Sequence, residues 1–117
     1  MSGVVSYHAG RVAEDQVALL YNRSGRQIAA RRWRGTSGEI DLIARDGAEV
    51  IFIEVKKSAT HALAAEHLSA RQMARIYNTA AEFLSGEPAG QNTATRFDVA
   101  LVDASGCIEL LENAFAA

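Results

Sequence analysis

The chain has 117 residues, of which 49% are hydrophobic, and its formal net charge is −2 at neutral pH. This length predicts one domain over residues 1–117, and the single cysteine, Cys107, excludes an internal disulfide. With no run of 18 apolar residues and no signal-peptide pattern, we expect a cytoplasmic protein that does not span a membrane.

The first half of the chain predicts one helix and then three strands. Residues 9–24 have an apolar residue at every third or fourth position, and Gly25 stands where such a helix would end. Strands rich in β-branched and aromatic residues are predicted at 27–34, 38–45 and 49–57. Asp46 and Gly47, between the last two strands, predict a hairpin with these two residues as its loop.

The second half predicts a helix between two loops and then two more strands. Residues 69–84 have the helical apolar period, and Ser69 with Gln72 three residues later matches a capping box. Loops are predicted at 58–66 and 85–95, and strands at 96–102 and 107–111. The order α-β-β-β-α-β-β predicts an α/β fold of the α+β kind, with a mixed sheet flanked by helices.

The predicted hairpin brings acidic and basic side chains to one face of the sheet. Because side chains alternate along a strand, Asp41, Glu54 and Lys56 would share that face with Glu39. Asp41 and Glu54 would be diagonal neighbours, with Cα atoms about 7–8 Å apart. The opposite face would supply the core residues Ile40, Leu42, Ile51, Ile53 and Val55.

This set of side chains suits metal-dependent hydrolysis of a phosphodiester. A divalent ion neutralises phosphate oxygens and lowers the pKa of a bound water, and carboxylates are ligands that Mg²⁺ prefers. A lysine orients the water and offsets charge that develops in the transition state. One alternative is a surface ion pair between Lys56 and Glu54, worth about 0–1 kcal/mol. Another is a bulge or longer loop that turns Asp41 away.

Four segments together resemble the YraN family of small bacterial proteins. They are Gly38-Glu39-Ile40-Asp41-Leu42-Ile43, Phe52-Ile53-Glu54-Val55-Lys56, Arg96-Phe97-Asp98-Val99 and Asn113-Ala114-Phe115. Ala13-Glu14 and Arg71-Gln72 fall in the same order, so the resemblance spans about residues 10–115. It implies a restriction-endonuclease-like core and endonuclease activity. The arrangement is also similar to archaeal Holliday-junction resolvases and to other PD-(D/E)xK nucleases.

The resemblance implies a metal site and a catalytic lysine. Asp41 and Glu54, with the backbone carbonyl of Val55, would bind Mg²⁺ or Mn²⁺, and Lys56 would be the catalytic lysine. The substrate would be DNA, including branched or structured DNA, and resolvase-like proteins often act as homodimers.

Other acidic and polar residues have one functional and one structural interpretation each. Glu14 matches an acid of the first helix that completes the resolvase site, or it is a solvated helix residue. Glu39 would support the site from beside it or stabilise the start of its strand. Gln72 would also support the site, although the capping box explains it equally well. For Asp98 a buried strand acid paired with Arg96 or another arginine is favoured over a catalytic role.

Five arginines form a basic segment that contains no acidic residue: Arg23, Arg26, Arg31, Arg32 and Arg34. Three of them, Arg31, Arg32 and Arg34, are candidate contacts to nucleic-acid phosphates together with Lys57, and a solvated basic edge is the alternative. Trp33 would stack on a base or pack in the sheet, and packing is the commoner role of a single tryptophan.

The loop at 58–66 departs from the family pattern. Ser58 stands where the family often has a basic residue, and the glycine usual shortly afterwards is missing from 59–63. His61 and His67 lie in or next to this loop, and each would contact phosphate, transfer a proton or simply be exposed.

Besides the nuclease, two functions stay open: a non-catalytic nucleic-acid-binding module with the same fold, and an adaptor that uses the apolar segment 108–111.

Overall fold

A computed structural model describes the backbone of residues 2–114 and the side chains from residue 10 onward. Residue 1 and residues 115–117, including Phe115 of the family resemblance, lie outside the described residues. The chain in this range forms one mixed five-stranded sheet with α-helices on both faces.

The order of elements confirms the predicted α-β-β-β-α-β-β arrangement, with one short helix added. The helices of residues 2–114 are α1 (Ser2–Arg23), α2 (His61–Glu66) and α3 (Ala70–Leu84), and a short 3₁₀ helix spans Gly90–Asn92. The strands are β1 (Gln27–Arg34), β2 (Glu39–Asp46), β3 (Glu49–Lys57), β4 (Thr95–Val102) and β5 (Ile108–Leu111). Within this range no helix combines the length and the apolar character needed to cross a bilayer.

The strands lie in the order β1-β2-β3-β4-β5. Neighbours pair antiparallel except β3 and β4, which are parallel. A parallel pair needs a crossover, and α2 and α3 provide it between these two strands. The segment 108–111 pairs with β4 and so completes the protein's own sheet, which removes the observation behind an adaptor function.

Each face of the sheet is covered by a helix with an apolar stripe. On one face α1 packs Val17, Ala18 and Tyr21 against the sheet, and on the other α3 packs Ala80 and Leu84. α1 begins at Ser2, earlier than the predicted residue 9, and ends before Gly25, whose φ of +84° favours glycine. Trp33 packs edge-on against Phe83 with 5.3 Å between ring centroids, which confirms its packing role.

The hairpin between β2 and β3 turns one residue later than predicted. Asp46 pairs with Glu49, so the loop residues are Gly47 and Ala48, with Gly47 at φ +61°. The changed register moves every cross-strand partner by two positions, and each side chain therefore keeps its face. Continued by one residue, this register would set Asp41 opposite Glu54 instead of diagonal to it, but the paired residues end at Leu42–Ile53.

The alternation of side chains in β2 is interrupted at Asp41. Ile40 packs with Ile43 on the α3 face, whereas Leu42 packs on the α1 face. The prediction that Ile40 shares a face with Leu42 is therefore wrong. In β1 the register also shifts between Ile28 and Ala30, and such irregularities re-aim side chains.

The predicted loop at 58–66 contains α2, which six residues make too short to show an apolar period. Thr60 caps this helix, since its side chain accepts a hydrogen bond from the Leu63 N–H at 3.2 Å. His61 Nε2 lies 2.9 Å from the carbonyl oxygen of Cys107 and so ties α2 to the approach to β5. His67 is exposed and ends α2.

Asp98 is fully buried and all its partners are donors. Its Oδ2 accepts from the Tyr21 hydroxyl at 2.7 Å and from Arg96 Nη2 at 3.0 Å. Its Oδ1 accepts from Arg96 Nε at 2.8 Å and from the Asn113 N–H at 2.9 Å. These bonds link α1, β4 and the segment after β5, so Asp98 has the structural role predicted from the sequence.

Replacing Asp98 with alanine should destabilise the fold strongly, because it leaves the Arg96 charge and the Tyr21 hydroxyl without their acceptor. We expect a loss of about 3–5 kcal/mol in the free energy of unfolding, measured by urea titration. The control is Asp15→Ala, which removes an exposed ion pair with Arg31 and should cost at most about 1 kcal/mol. Equal losses in the two variants would contradict this role for Asp98.

Candidate active site

Asp41 is held where β2 and β3 separate. The paired part of these strands ends at Leu42–Ile53, and beyond it the N–H of Val55 donates to Asp41 Oδ2 at 2.8 Å. The side chain of Asp41 thus occupies the place of a strand partner. Asp41 and Glu54 lie close enough for each to change the pKa of the other, so the predicted juxtaposition is present.

Glu54 is buried, with 7% of its side chain exposed. Its Oε2 accepts a hydrogen bond from Gln72 Nε2 at 2.7 Å and lies 3.4 Å from Lys56 Nζ. Its Oε1 is buried and has no hydrogen-bond partner in the described part of the chain. The Lys56–Glu54 pair exists, but it is an interior pair with 17% of the lysine side chain exposed, and the surface value does not apply.

Gln72 has both roles that were considered for it, through different atoms. Its backbone N–H donates to Ser69 Oγ at 3.1 Å, which caps α3. In a full capping box its side chain would accept a hydrogen bond from the Ser69 N–H. Instead, the Gln72 side chain donates a hydrogen bond to Glu54. The cap therefore fixes the first turn of α3, while the side-chain amide of Gln72 orients the buried Glu54 carboxyl group.

The two carboxyl groups favour a shared proton in the absence of a cation. Burial is the main cause that raises the pKa of Glu54 to about 8, the charge of Asp41 adds to it, and Lys56 opposes it. Burial also raises the pKa of Asp41, although the Val55 N–H opposes that rise. A divalent cation would offset this cost, because it replaces the proton and satisfies the unpartnered oxygen.

Glu14 lies beside this pair and is bound by an arginine. Arg32 Nε donates to Glu14 Oε1 at 2.9 Å, and 17% of the Glu14 side chain is exposed. Burial is the largest cause that raises the pKa of Glu14, Arg32 lowers it, and the charge of Asp41 raises it further. Glu14 is thus partly buried near Asp41, and the interpretation as a solvated helix residue is wrong. Arg32 adopts φ +50°, a strained value for a residue with a side chain.

The donors available for a metal are two carboxylates together with backbone or water oxygens. Within the described chain, no three His, Cys, Asp or Glu side chains form a group that could hold an ion by themselves. Asp41 and Glu54 with one backbone carbonyl fit Mg²⁺, which usually keeps several waters and takes one or two carboxylates. The orphaned Glu54 Oε1 supports this fit.

The predicted phosphate contacts of the basic segment have acidic partners. Arg31 Nη1 lies 2.6 Å from Asp15 Oδ1, and Arg34 Nη2 lies 3.0 Å from Glu39 Oε2. Lys57 is exposed at the end of β3. The acids come from α1 and from the start of β2, so the sequence segment alone overstated the positive charge of this edge.

A small open cleft of about 130 Å³ lies beside the carboxyl groups. Its lining residues are Gly38, Glu39, Glu54, Gln72, Arg75 and Ile76. Arg75 was missed from the sequence, although Gln72 and Arg75 stand three residues apart and therefore share a face of α3. This spacing predicts that Arg75 lies near the site only once Gln72 has been assigned to the site.

Comparison with known proteins assigns the chain to a family. The model of the Uncharacterised protein family UPF0102 matches residues 13–102, which include every candidate site residue from Glu14 to Arg75. The chain belongs to this family. It is the YraN family, so the resemblance found from the sequence motifs is confirmed.

UPF0102 proteins of three bacteria illustrate the similarity. The chain is 74% identical over 117 residues to one from Cereibacter sphaeroides, and the match covers all of both chains. It is 57% identical over 113 residues to one from Ruegeria pomeroyi, covering 97% of this chain and 92% of the relative. It is 45% identical over 105 residues to one from Dinoroseobacter shibae, covering 90% and 78% respectively.

The raised pKa of Glu54 predicts how the stability of this UPF0102 protein changes with pH. Without metal, the folded state keeps a proton that the unfolded chain releases above its ordinary pKa of 4.5. Stability should therefore fall as pH rises from about 4.5 to about 8. Urea unfolding in EDTA should show that Glu54→Gln, which stays uncharged, loses less stability over this range than the wild type.

Glu66→Gln is the matched control for this pH series, because Glu66 is an exposed residue at the end of α2. It should follow the wild-type curve at every pH. Parallel curves for the wild type and Glu54→Gln would contradict a protonated, buried Glu54.

Proposed function

We propose that this protein is a metal-dependent endonuclease that hydrolyses phosphodiester bonds in DNA. The observation that carries the proposal is the pair of carboxyl groups formed by half-buried Asp41 and buried Glu54, with Lys56 beside Glu54 and one Glu54 oxygen left without a partner. The resemblance to PD-(D/E)xK nucleases gives these three residues the same roles.

Each of these side chains has a defined task in hydrolysis. Bound between the carboxylates, Mg²⁺ or Mn²⁺ would neutralise phosphate oxygens and lower the pKa of a water. Asp41 and Glu54 would hold that ion, together with the backbone carbonyl of Val55. Lys56 orients the attacking water and offsets the negative charge of the transition state. Gln72 keeps the Glu54 carboxyl group in place through its 2.7 Å hydrogen bond.

A purely structural role explains the pair less well. Two neighbouring carboxyl groups repel each other when both ionise, and replacing buried charged groups by apolar residues often stabilises a protein. The neighbouring sheet positions are already apolar, so packing alone gives no reason to place acids there. Polar groups that reduce stability are expected at functional sites.

The substrate and assembly are proposed from the resemblance to Holliday-junction resolvases. Branched or structured DNA is the substrate class, and a homodimer is the working form. The alternative, a nucleic-acid-binding module without turnover, rested on the arginines of residues 23–34. Arg31, Arg32 and Arg34 bind acids of the same chain, so this alternative has lost part of its support.

Cleavage assays test the nuclease directly. Plasmid, flap and four-way-junction DNA are incubated with the protein and Mg²⁺ or Mn²⁺. We expect the wild type to cut at least one of them, and Asp41→Asn and Glu54→Gln to lower the rate at least about 100-fold, since each removes a metal ligand. Gln72→Ala should lower it about 10–100-fold, because it only orients a ligand.

Glu66→Gln controls for loss of a carboxylate outside the site and should cleave at the wild-type rate. Circular dichroism and urea unfolding show that each variant is folded. Absence of cleavage by the folded wild type on all three substrates, or cleavage that persists in Asp41→Asn, would refute the nuclease.

Metal binding is tested without turnover by thermal unfolding in EDTA and in increasing Mn²⁺. The ion binds only the folded site, so it should stabilise the wild type by about 2.7 kcal/mol at a concentration 100-fold above Kd. Asp41→Asn should show no such rise in Tm, while Glu66→Gln should match the wild type. An identical rise in all three proteins would point to ions bound elsewhere.

A further inference from the structure

Arg75 differs from the other arginines near the candidate active site. Six arginines of the described chain have their guanidinium groups in ion pairs with acids: Arg26, Arg31, Arg32, Arg34, Arg45 and Arg96. No ion pair joins Arg75 to any acid of residues 10–114, and its side chain is exposed while it lines the cleft. Its positive charge is therefore available to a ligand.

Gly38, which lines the cleft, lies close against α3. A Cβ atom at Gly38 would lie 3.3 Å from Thr79 Oγ1 and 3.9 Å from Arg75 Cβ, so a side chain there would press on the helix that carries Arg75. The cleft has a volume of about 130 Å³, which leaves room for a phosphate group. Glu54, whose Oε1 is buried and has no hydrogen-bond partner, also lines the cleft.

A nucleic acid that binds at this site needs a positively charged side chain that is not already paired with an acid of the protein. Lys56 is paired with Glu54, and Arg32 with Glu14, so the cations closest to the acids are engaged. The planar guanidinium group of arginine binds two phosphate oxygens at once, which suits it to a phosphodiester.

We infer that Arg75 binds a backbone phosphate of the nucleic acid in this cleft. This phosphate would be next to the scissile phosphate at the Asp41–Glu54 site. The identity of the ligand as a phosphodiester rests on the proposed function. Arg75 then positions the strand relative to the carboxylates without entering the reaction.

Arg71 provides a matched control on the same helix. It is exposed and stands four residues before Arg75, and it does not line the cleft. A general attraction of α3 for DNA would weaken equally on Arg71→Ala and Arg75→Ala, whereas a phosphate site in the cleft depends on Arg75 alone.

Binding is measured by fluorescence anisotropy of labelled duplex and four-way-junction DNA over a series of KCl concentrations, both without divalent metal and with Ca²⁺. For Arg75→Ala we expect Kd to rise about tenfold, and the slope of log K against log salt to fall by about one. Arg75→Lys should recover part of the affinity. Arg71→Ala should stay within about twofold of the wild type.

Gly38→Ala is a second variant, which disturbs the packing of this cleft wall against α3 without changing charge. It should weaken binding while leaving the salt slope unchanged, provided that urea unfolding shows a folded protein. If Arg75→Ala and Arg71→Ala bind alike, or if the wild type binds neither DNA, the inference is overturned whatever the cleavage assays give. If binding depends on Arg75 but no substrate is cut, the phosphate site stands and the nuclease falls.

Discussion

The hydrogen bond from the Val55 N–H to Asp41 Oδ2 is the constraint on which the candidate site depends. The ladder between β2 and β3 ends at Leu42–Ile53, which leaves the Val55 N–H without a backbone partner on β2. At 2.8 Å the Asp41 carboxylate supplies that acceptor, and so it is drawn out of the regular alternation of β2. The same contact that completes the backbone bonding of β3 also places one carboxyl group against another.

The two most buried acids of the chain show what separates a structural from a functional carboxylate. Asp98 receives hydrogen bonds on both oxygens from a hydroxyl, a guanidinium and an amide. Glu54 receives its partners on one oxygen only, and burial together with the charge of Asp41 raises its pKa. A fold that satisfies one interior acid so fully could satisfy the second as well. The missing partner at Glu54 therefore argues for a ligand and against imperfect packing.

The sequence predicted which face of the sheet carries the acids more accurately than it predicted the pairing register of β2 and β3. An Asp-Gly pair signals a hairpin, but it does not decide whether Asp46 ends the strand or enters the loop, and here it pairs with Glu49. The error moved all partners by two positions, so period-two alternation kept Glu54 and Lys56 on the predicted face. Ile40 was misplaced because the break in alternation at Asp41 follows from a contact with β3, which no local pattern reveals. The arginine ion pairs were missed for the same reason, since Arg32 and Glu14 lie on different elements.

The first turn of α3 contributes both to the fold, through its cap, and to the candidate site, through the Gln72 side chain. Ser69 fixes the start of the helix through the Gln72 N–H, and this sets the direction of the Gln72 side chain toward Glu54. One turn later the same face brings Arg75 to the cleft. A change at Ser69 would therefore displace the amide and the guanidinium together. The spacing of polar residues in α3, which a capping rule explains only in part, fits our proposal that this helix forms one wall of a site for a phosphate chain.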